Sequence, residues 1–372
     1  MNSLKTTVIG FLTVFMMLLL VACGKGSTEA TDVIKVGMAT DSGTIDDKSF
    51  NQGSWEGVLK FQEAHDNVEV QYIKPTGETL QDYITSIDNL ILAGNEVIVL
   101  PGFKFDETAS VVAEAYPDIE FILIDAEPIK DGKAVSYDNV VSIFFTEHEA
   151  GFLSGVASAL QTETGKLGFI GGFNIHSVAK FGYGYVSGVA YANKYLGTDA
   201  HVTDYTYVGS FEDVDGGKAI AGGMYDKGID IIHHAAGGVG VGAISEAKTR
   251  HENGENVHIV GVDVDQYGEG VTSNGDSIIL TSSMKRLDVA VFTQLENWLN
   301  DEFEGGKTIV MDYIQDGVGL PLENPNLTDA TMETLKEVGK ALGNGTVKVP
   351  STLEELHLFL EEYNYHVDGV EY

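Results

Sequence analysis

The stretch that decides the fold opens at Lys35-Val36-Gly37-Met38-Ala39 and runs to Glu69-Val70-Gln71-Tyr72-Ile73. A short apolar run ends in the polar turn Thr40-Asp41-Ser42-Gly43. A helical pattern over Ser54–His65 follows, and then a second β-rich run. Strand, loop, helix and strand within about 40 residues is the unit that builds a parallel sheet. Read outward, the unit repeats. Strands are predicted at Glu96–Leu100, Glu120–Ile124 and Val140–Phe144, with helices at Leu80–Ala93, Phe105–Ala115 and Glu147–Gln161 between and after them. A second set of strands runs through Leu167–Ile170, Val202–Tyr207, Asp230–His234, His258–Val262 and Ile278–Thr281. Two successive sets of five predict two similar α/β lobes, and 372 residues is enough for both. A long helix over Leu287–Phe303, a strand at Thr308–Tyr313 and two C-terminal helices (Asp329–Leu342, Leu353–Tyr363) complete the reading. They let the chain return to the first lobe and cross again, which makes a hinge of several strands.

Composition narrows the function. The chain carries 22 Lys plus Arg against 56 Asp plus Glu, a net charge of −34, so a phosphate backbone would be repelled and no nucleic-acid partner is expected. One cysteine excludes an intrachain disulfide and a Cys-rich zinc site. That cysteine, Cys23, follows Lys5, the uncharged run Val8–Val21 and Leu20-Val21-Ala22. A short basic segment, an apolar core and small residues before a cut are the parts of an export signal. Ending on cysteine, the signal resembles the bacterial lipobox, in which the cysteine becomes the lipidated first residue. The run is short for a membrane span, the other reading of it. The expectation is a signal peptide over 1–22 and a small, polar tether over 23–32.

In open parallel sheets ligands bind beyond the carboxyl ends of the strands. Those ends carry Asp41-Ser42-Gly43, Pro101-Gly102-Phe103, Asp125, Gly171-Gly172-Phe173, Gly209-Ser210-Phe211, Ala236-Gly237-Gly238, Asp263 and Ser282-Ser283-Met284-Lys285. Carboxylates, aromatics and glycines from two lobes converge on one cleft. Ser49-Phe50-Asn51-Gln52 reads as a capping box, placing Phe50 in the first helical turn beside that cleft. Gly238-Val239-Gly240-Val241-Gly242-Ala243 matches a dinucleotide-binding pattern weakly. His233 and His234 are adjacent on a strand and point to opposite faces, so they make no shared metal site. No catalytic triad or metal-ligand spacing stands out, and no cofactor is expected.

Asp41-Ser42-Gly43-Thr44-Ile45-Asp46-Asp47-Lys48-Ser49-Phe50-Asn51-Gln52 resembles the opening signature of the basic membrane protein lipoproteins, purine-nucleoside-binding components of ABC transporters. Phe211-Glu212-Asp213, Ala235–Gly240, Gly261–Gln266 and Ser282–Lys285 resemble the family's later motifs in order. The resemblance implies a type I periplasmic-binding-protein fold, with two doubly wound parallel-sheet lobes joined by a multi-strand hinge. Residues 33–143 plus 284–310 would form the N-terminal lobe and 144–283 plus 311–372 the C-terminal lobe. It also implies a monomer, lipid-anchored on the extracytoplasmic face of the cell membrane beside an ABC permease.

In that reading Phe50 and Phe211 stack on the two faces of a base, with Phe173 and Phe181 as alternatives to Phe211. Asp125 reads the base, and Asp263 accepts from the ribose hydroxyls. Asp41 and Ser42 contribute from the first lobe, while Lys285 offsets the carboxylates and donates to the sugar. Gly237 lets the backbone approach closely, since it has no Cβ. Some relatives carry another polar residue at Ser42, so base preference stays open. The ligand would be a guanosine-, adenosine- or inosine-type nucleoside, bound by hinge closure without catalysis. A sugar or autoinducer receptor, a nucleoside hydrolase and an adhesin are the rival readings.

Overall fold

A computed structural model describes residues 33–370. The first half alternates β1 (Ile34–Ala39), α1 (Phe50–Ala64), β2 (Val68–Ile73), α2 (Leu80–Leu92), β3 (Val97–Pro101), α3 (Asp106–Ala115) and β4 (Glu120–Ile124). The small ladder β5 (Ile129–Lys130) with β6 (Lys133–Ala134) precedes β7 (Val140–Phe145). Next come α4 (Glu147–Gln161), β8 (Lys166–Gly171), α5 (His176–Leu196), β9 (His201–Tyr207), α6 (Val214–Asp226), β10 (Ile231–Ala235), α7 (Gly238–Glu252) and β11 (His258–Asp263). The chain finishes with β12 (Ile279–Lys285), α8 (Leu287–Leu299), β13 (Thr308–Met311), β14 (Val318–Gly319), α9 (Asp329–Gly343) and α10 (Leu353–Tyr363).

Helices cover both faces of the strands, so the central strands are apolar throughout rather than alternating. All five residues of β3 are buried, as are Phe121–Ile124 of β4. Two six-stranded sheets result, in the orders β13-β7-β4-β3-β1-β2 and β14-β12-β11-β10-β8-β9. All pairs are parallel except β12 with β14. The chain leaves one sheet for the other after β7, after β12 and between β13 and β14. These crossings all attach at one edge of each sheet.

Helices α4 and α5 touch backbone to backbone. A Cβ on Gly155 would collide with the Tyr185 carbonyl oxygen, and one on Gly184 with that of His148. At the other edge, Tyr365 stacks on His201 and its hydroxyl accepts from the Val202 amide at 2.8 Å. The C-terminal tail thus covers β9, which would otherwise offer unpaired edge groups.

Among the boundaries that shift, α8 stops at Leu299 short of the predicted Phe303 and β13 at Met311 short of Tyr313, while α1 begins at Phe50 ahead of Ser54; the shift that bears on the site is in β12. The strand expected to end at Thr281 continues to Lys285, so Lys285 is the last residue of the strand and not part of the turn after it. The apolar pattern fails there while the strand persists, because its buried hydroxyls find partners. Ser283 donates to Ser154 Oγ at 2.7 Å, and Ser282 Oγ accepts from the Gln266 amide at 3.1 Å.

Candidate functional site

The carboxyl ends of the two sheets face each other across a cavity of about 700 Å³, counting its opening to solvent. That lies within the usual range of small-molecule sites. Asp41, Ser42, Phe50, Asp125, Phe211, Gly237, Asp263 and Lys285 all line it. Cys23 lies outside the described residues. Of the alternative aromatics, Phe181 also lines the cavity, whereas Phe173 stands behind Phe211 in an edge contact with centroids 5.2 Å apart.

The two sheets contribute matching positions. Asp125 follows β4 and Asp263 ends β11, and each of these strands is third from the crossing edge of its sheet. Both aspartates adopt left-handed backbone, with φ of 53° and 65°. This region is costly for most side chains, and aspartate is among the few residues enriched there. One strand further along each sheet, Gly102 and Gly237 repeat the match, with φ of 112° and 52°.

Asp41 Oδ1 accepts from the Gly43 amide at 3.0 Å and from Asn51 Nδ2 at 2.9 Å. Asp125 Oδ2 accepts from Lys285, and Asp263 Oδ2 from the Ser49 hydroxyl. Each carboxylate therefore commits one oxygen to the protein. Asp125 Oδ1 is buried without a partner, and Asp263 Oδ1 stands 4.0 Å from the Lys285 ammonium, beyond a hydrogen bond. Burial raises the pKa of Asp41 and Asp125, against the pull of Asn51 and Gly43 on the first and Lys285 on the second. Burial likewise lifts Asp263 to about 6 against Lys285 and Ser49. For Lys285 burial works toward loss of the proton, but Asp125, Glu147 and Asp263 outweigh it and raise its pKa. The ammonium also lies 5.0 Å from the centre of the Phe50 ring.

The predicted capping box is not formed. The cap of α1 is Asp47, whose Oδ1 accepts from the Ser49 and Gln52 amides at 3.0 and 3.1 Å. Its Oδ2 accepts from the Asn51 amide at 2.9 Å and from Asn51 Nδ2 at 2.8 Å. Ser49 is freed to reach Asp263 in the other lobe, and Gln52 turns to Glu56 at 3.0 Å. The carboxylate wins because an ionised acceptor makes the stronger bonds to helix amides. Phe50 and Asn51 are consequently fixed in the first turn. Phe211 is fixed too, since its carbonyl accepts from the Gly238 amide at 2.8 Å.

Sequence reasoning did not select Ser49, Asn51, Phe103 or Ser177 as site residues, yet all four line the cavity. Asn51 carried a usable signal, being next to Phe50 and ten residues after Asp41. Ser177 had none, because α5 enters the site only through tertiary packing. The glycine-rich opening of α7 has a packing explanation. A Cβ on Gly240 would collide with the His234 ring, and one on Gly242 with the Val214 carbonyl. His233 and His234 are fully buried, and burial depresses them to about 3 and 4. Among the described residues no group of three or more His, Cys, Asp or Glu could hold a metal ion.

Two α/β lobes with a polar and aromatic cavity between their strand ends, and three crossings at one edge, define a two-lobed solute-binding protein. Comparison with known proteins supplies the family. Residues 34–352 match the Bmp family, described as ABC transporter substrate-binding protein PnrA-like. The chain is 35% identical over 342 residues to basic membrane protein A of Borreliella burgdorferi, covering 91% of this chain and 94% of that one. It is 33% identical over 341 residues to the ABC transporter nucleoside-binding protein BmpA of Lactococcus lactis, covering 89% and 92%. An ABC transporter solute-binding protein from Aeropyrum pernix superposes with a TM-score of 0.75 at 26% identity, over 89% of this chain and 97% of that chain. The chain belongs to the Bmp family, with the type I periplasmic-binding fold, and is an ABC transporter substrate-binding protein rather than an enzyme.

Proposed function

We propose that this protein captures purine nucleosides and delivers them to an ABC permease, held by lipid on Cys23 at the extracytoplasmic face of the cell membrane. The observation that carries the reading is the pairing of ring faces with unspent acceptors. Phe50 and Phe211 come from opposite lobes onto one cavity, and Asp125 and Asp263 each keep an oxygen unbonded. The Asp125 oxygen is buried without a donor, which is costly, and that of Asp263 faces the same cavity, so the fitting ligand brings N–H and O–H groups. A purine nucleoside offers a flat face for stacking, base N–H groups and adjacent ribose hydroxyls. Asp263 would accept from the ribose and Asp125 from the base, with Asp41 and Ser42 beside it. Gly237 would let the backbone close on the ligand, and Lys285 would donate to the sugar.

Electrostatics argue for nucleosides over nucleotides. Asp41, Asp47, Asp125 and Asp263 line the cavity against the single cation Lys285, which is already paired. A phosphate would meet repulsion without a free counter-charge. The relative from L. lactis is named as nucleoside-binding, which agrees with this chemistry.

A calorimetric panel tests the proposal: guanosine, inosine, adenosine, guanosine monophosphate, the free bases, ribose and arabinose. Binding of nucleosides with weak or absent binding of the monophosphate and the pentoses is expected. Pentose binding with no nucleoside signal would move the protein to the sugar receptors. Incorporation of labelled palmitate that vanishes in Cys23→Ala tests the anchor.

A further inference from the structure

Behind the cavity lies a buried ion pair that the binding chemistry above does not use. The Glu147 side chain is only 1% exposed and lies between two lysines. Its Oε1 accepts from Lys285 Nζ at 3.3 Å, while its Oε2 lies 3.3 Å from Lys180 Nζ, an ion pair without a hydrogen bond. Lys180 also donates to the Phe145 carbonyl at 3.0 Å. Neither Glu147 nor Lys180 lines the cavity. Desolvating these charges costs several kcal/mol per ion on the order of magnitude found for buried ions, offset only by close pairing.

Their location gives the arrangement a purpose. Glu147 begins α4, two residues after β7 ends, where the chain first crosses between the lobes. Lys285 ends β12, two residues before α8 begins, where it crosses back. Lys180 sits on α5, over the second sheet. The series Lys180, Glu147, Lys285, Asp125 therefore runs from a helix of one lobe, through two of the three crossings, to the strand end of the other. Asp125 accepts from Lys285 and Asp263 stands 4.0 Å away, so Glu147 is a third carboxylate beside one ammonium, and it is the one that also faces Lys180. A lysine ammonium is a point charge on a flexible stem. Held by Asp125 alone, it would follow the first lobe whenever the lobes part.

We propose that Glu147, itself held by Lys180, is a positioning residue that fixes the Lys285 ammonium at the hinge so that the ligand meets it in one place. The binding arm of its test rests on the nucleoside reading, whereas the labelling arm does not. Glu147→Gln, Lys180→Met and the double variant are compared with the parent chain. Acylation of Lys285 by acetic anhydride in ligand-free protein is followed by peptide mass spectrometry. Guanosine affinity is followed by calorimetry, and stability by thermal melting. Glu147→Gln is expected to speed Lys285 acylation at least fivefold and to weaken guanosine at least tenfold. Lys180→Met is expected to weaken guanosine as well, and the double variant no more than Glu147→Gln alone, because Lys180 acts through Glu147.

A lowered melting temperature with unchanged acylation and unchanged affinity would mark the pair as structural and overturn the inference. So would faster acylation with full affinity. Should Glu147→Gln not fold, unchanged affinity in Lys180→Met decides against it. A parent protein that binds no nucleoside sinks the nucleoside reading, and acylation still decides the role of Glu147.

Discussion

Phe50 and Asp263 carry the proposed reading at the scale of single residues. Stacking a base on an aromatic ring is worth about 1–3 kcal/mol, so Phe50→Ala is expected to weaken guanosine roughly tenfold to a hundredfold by calorimetry while the melting temperature holds. Full affinity in that variant would remove the ring from the site. Asp263 predicts a pH dependence. Burial lifts its pKa from 3.8 to about 6, so the ligand-free site favours the protonated acid, and the stability from that preference is lost as pH rises through about 6. In the proposed complex the ligand hydroxyls need the ionised acceptor and favour the opposite state. Affinity should therefore increase from pH 5 to pH 7, with proton release near pH 6 in calorimetry run in buffers of differing ionisation enthalpy. Asp41 and Asp125, raised in the same direction, reinforce this trend. A flat profile would take these carboxylates out of ligand contact.

Among the elements, α1 carries the sharpest test, because Asp47 takes the capping role that the sequence suggests for Ser49. Asp47 holds three amides of the first turn, and losing such a cap costs about 0.5–2 kcal/mol. Asp47→Ala should lower both the melting temperature and the affinity, since Phe50 and Asn51 ride on that turn. Ser49→Ala removes no cap bond and should spare the melting temperature while altering affinity through Asp263. The reverse outcome would restore the capping box. The strand pattern itself was largely readable, because parallel strands covered on both faces leave continuous apolar runs such as Val97–Leu100 and Phe121–Ile124. Where polar side chains bond within the sheet, as at Ser282 and Ser283, periodicity stops before the strand does.

At the scale of the molecule, the lobes touch across the cleft. Gln266 Nε2 donates to the Lys48 carbonyl at 2.7 Å, and Lys48 with Glu269 and Lys74 with Glu212 form ion pairs at 3.4 Å. β2 and β9 lie at the sheet edges away from the crossings, and Lys74 and Glu212 follow them. Saturating nucleoside should reduce the radius of gyration in small-angle scattering, as expected for hinge closure. Exposed ion pairs are worth about 0–1 kcal/mol each, so Lys48→Ala with Lys74→Ala should change affinity by less than about thirtyfold. A larger loss would mean that these surface pairs, rather than the ligand, hold the lobes together.

The order of strands and helices, their grouping into two sets, the placement of Asp41, Asp125, Gly237 and Asp263 at strand ends and that of Phe50 in a first helical turn follow from the chain alone. Each depends on local periodicity and on polar residues interrupting apolar runs, which are properties of neighbours in sequence. Which oxygen of each aspartate is spent, that Asp47 rather than Ser49 caps α1, and that Glu147 stands between Lys180 and Lys285 were decided only in three dimensions. Ser49 and Asp263 are 214 residues apart, and Glu147 and Lys285 are 138 apart. Whether a buried charge finds its partner depends on packing between segments that no pattern of adjacent residues encodes.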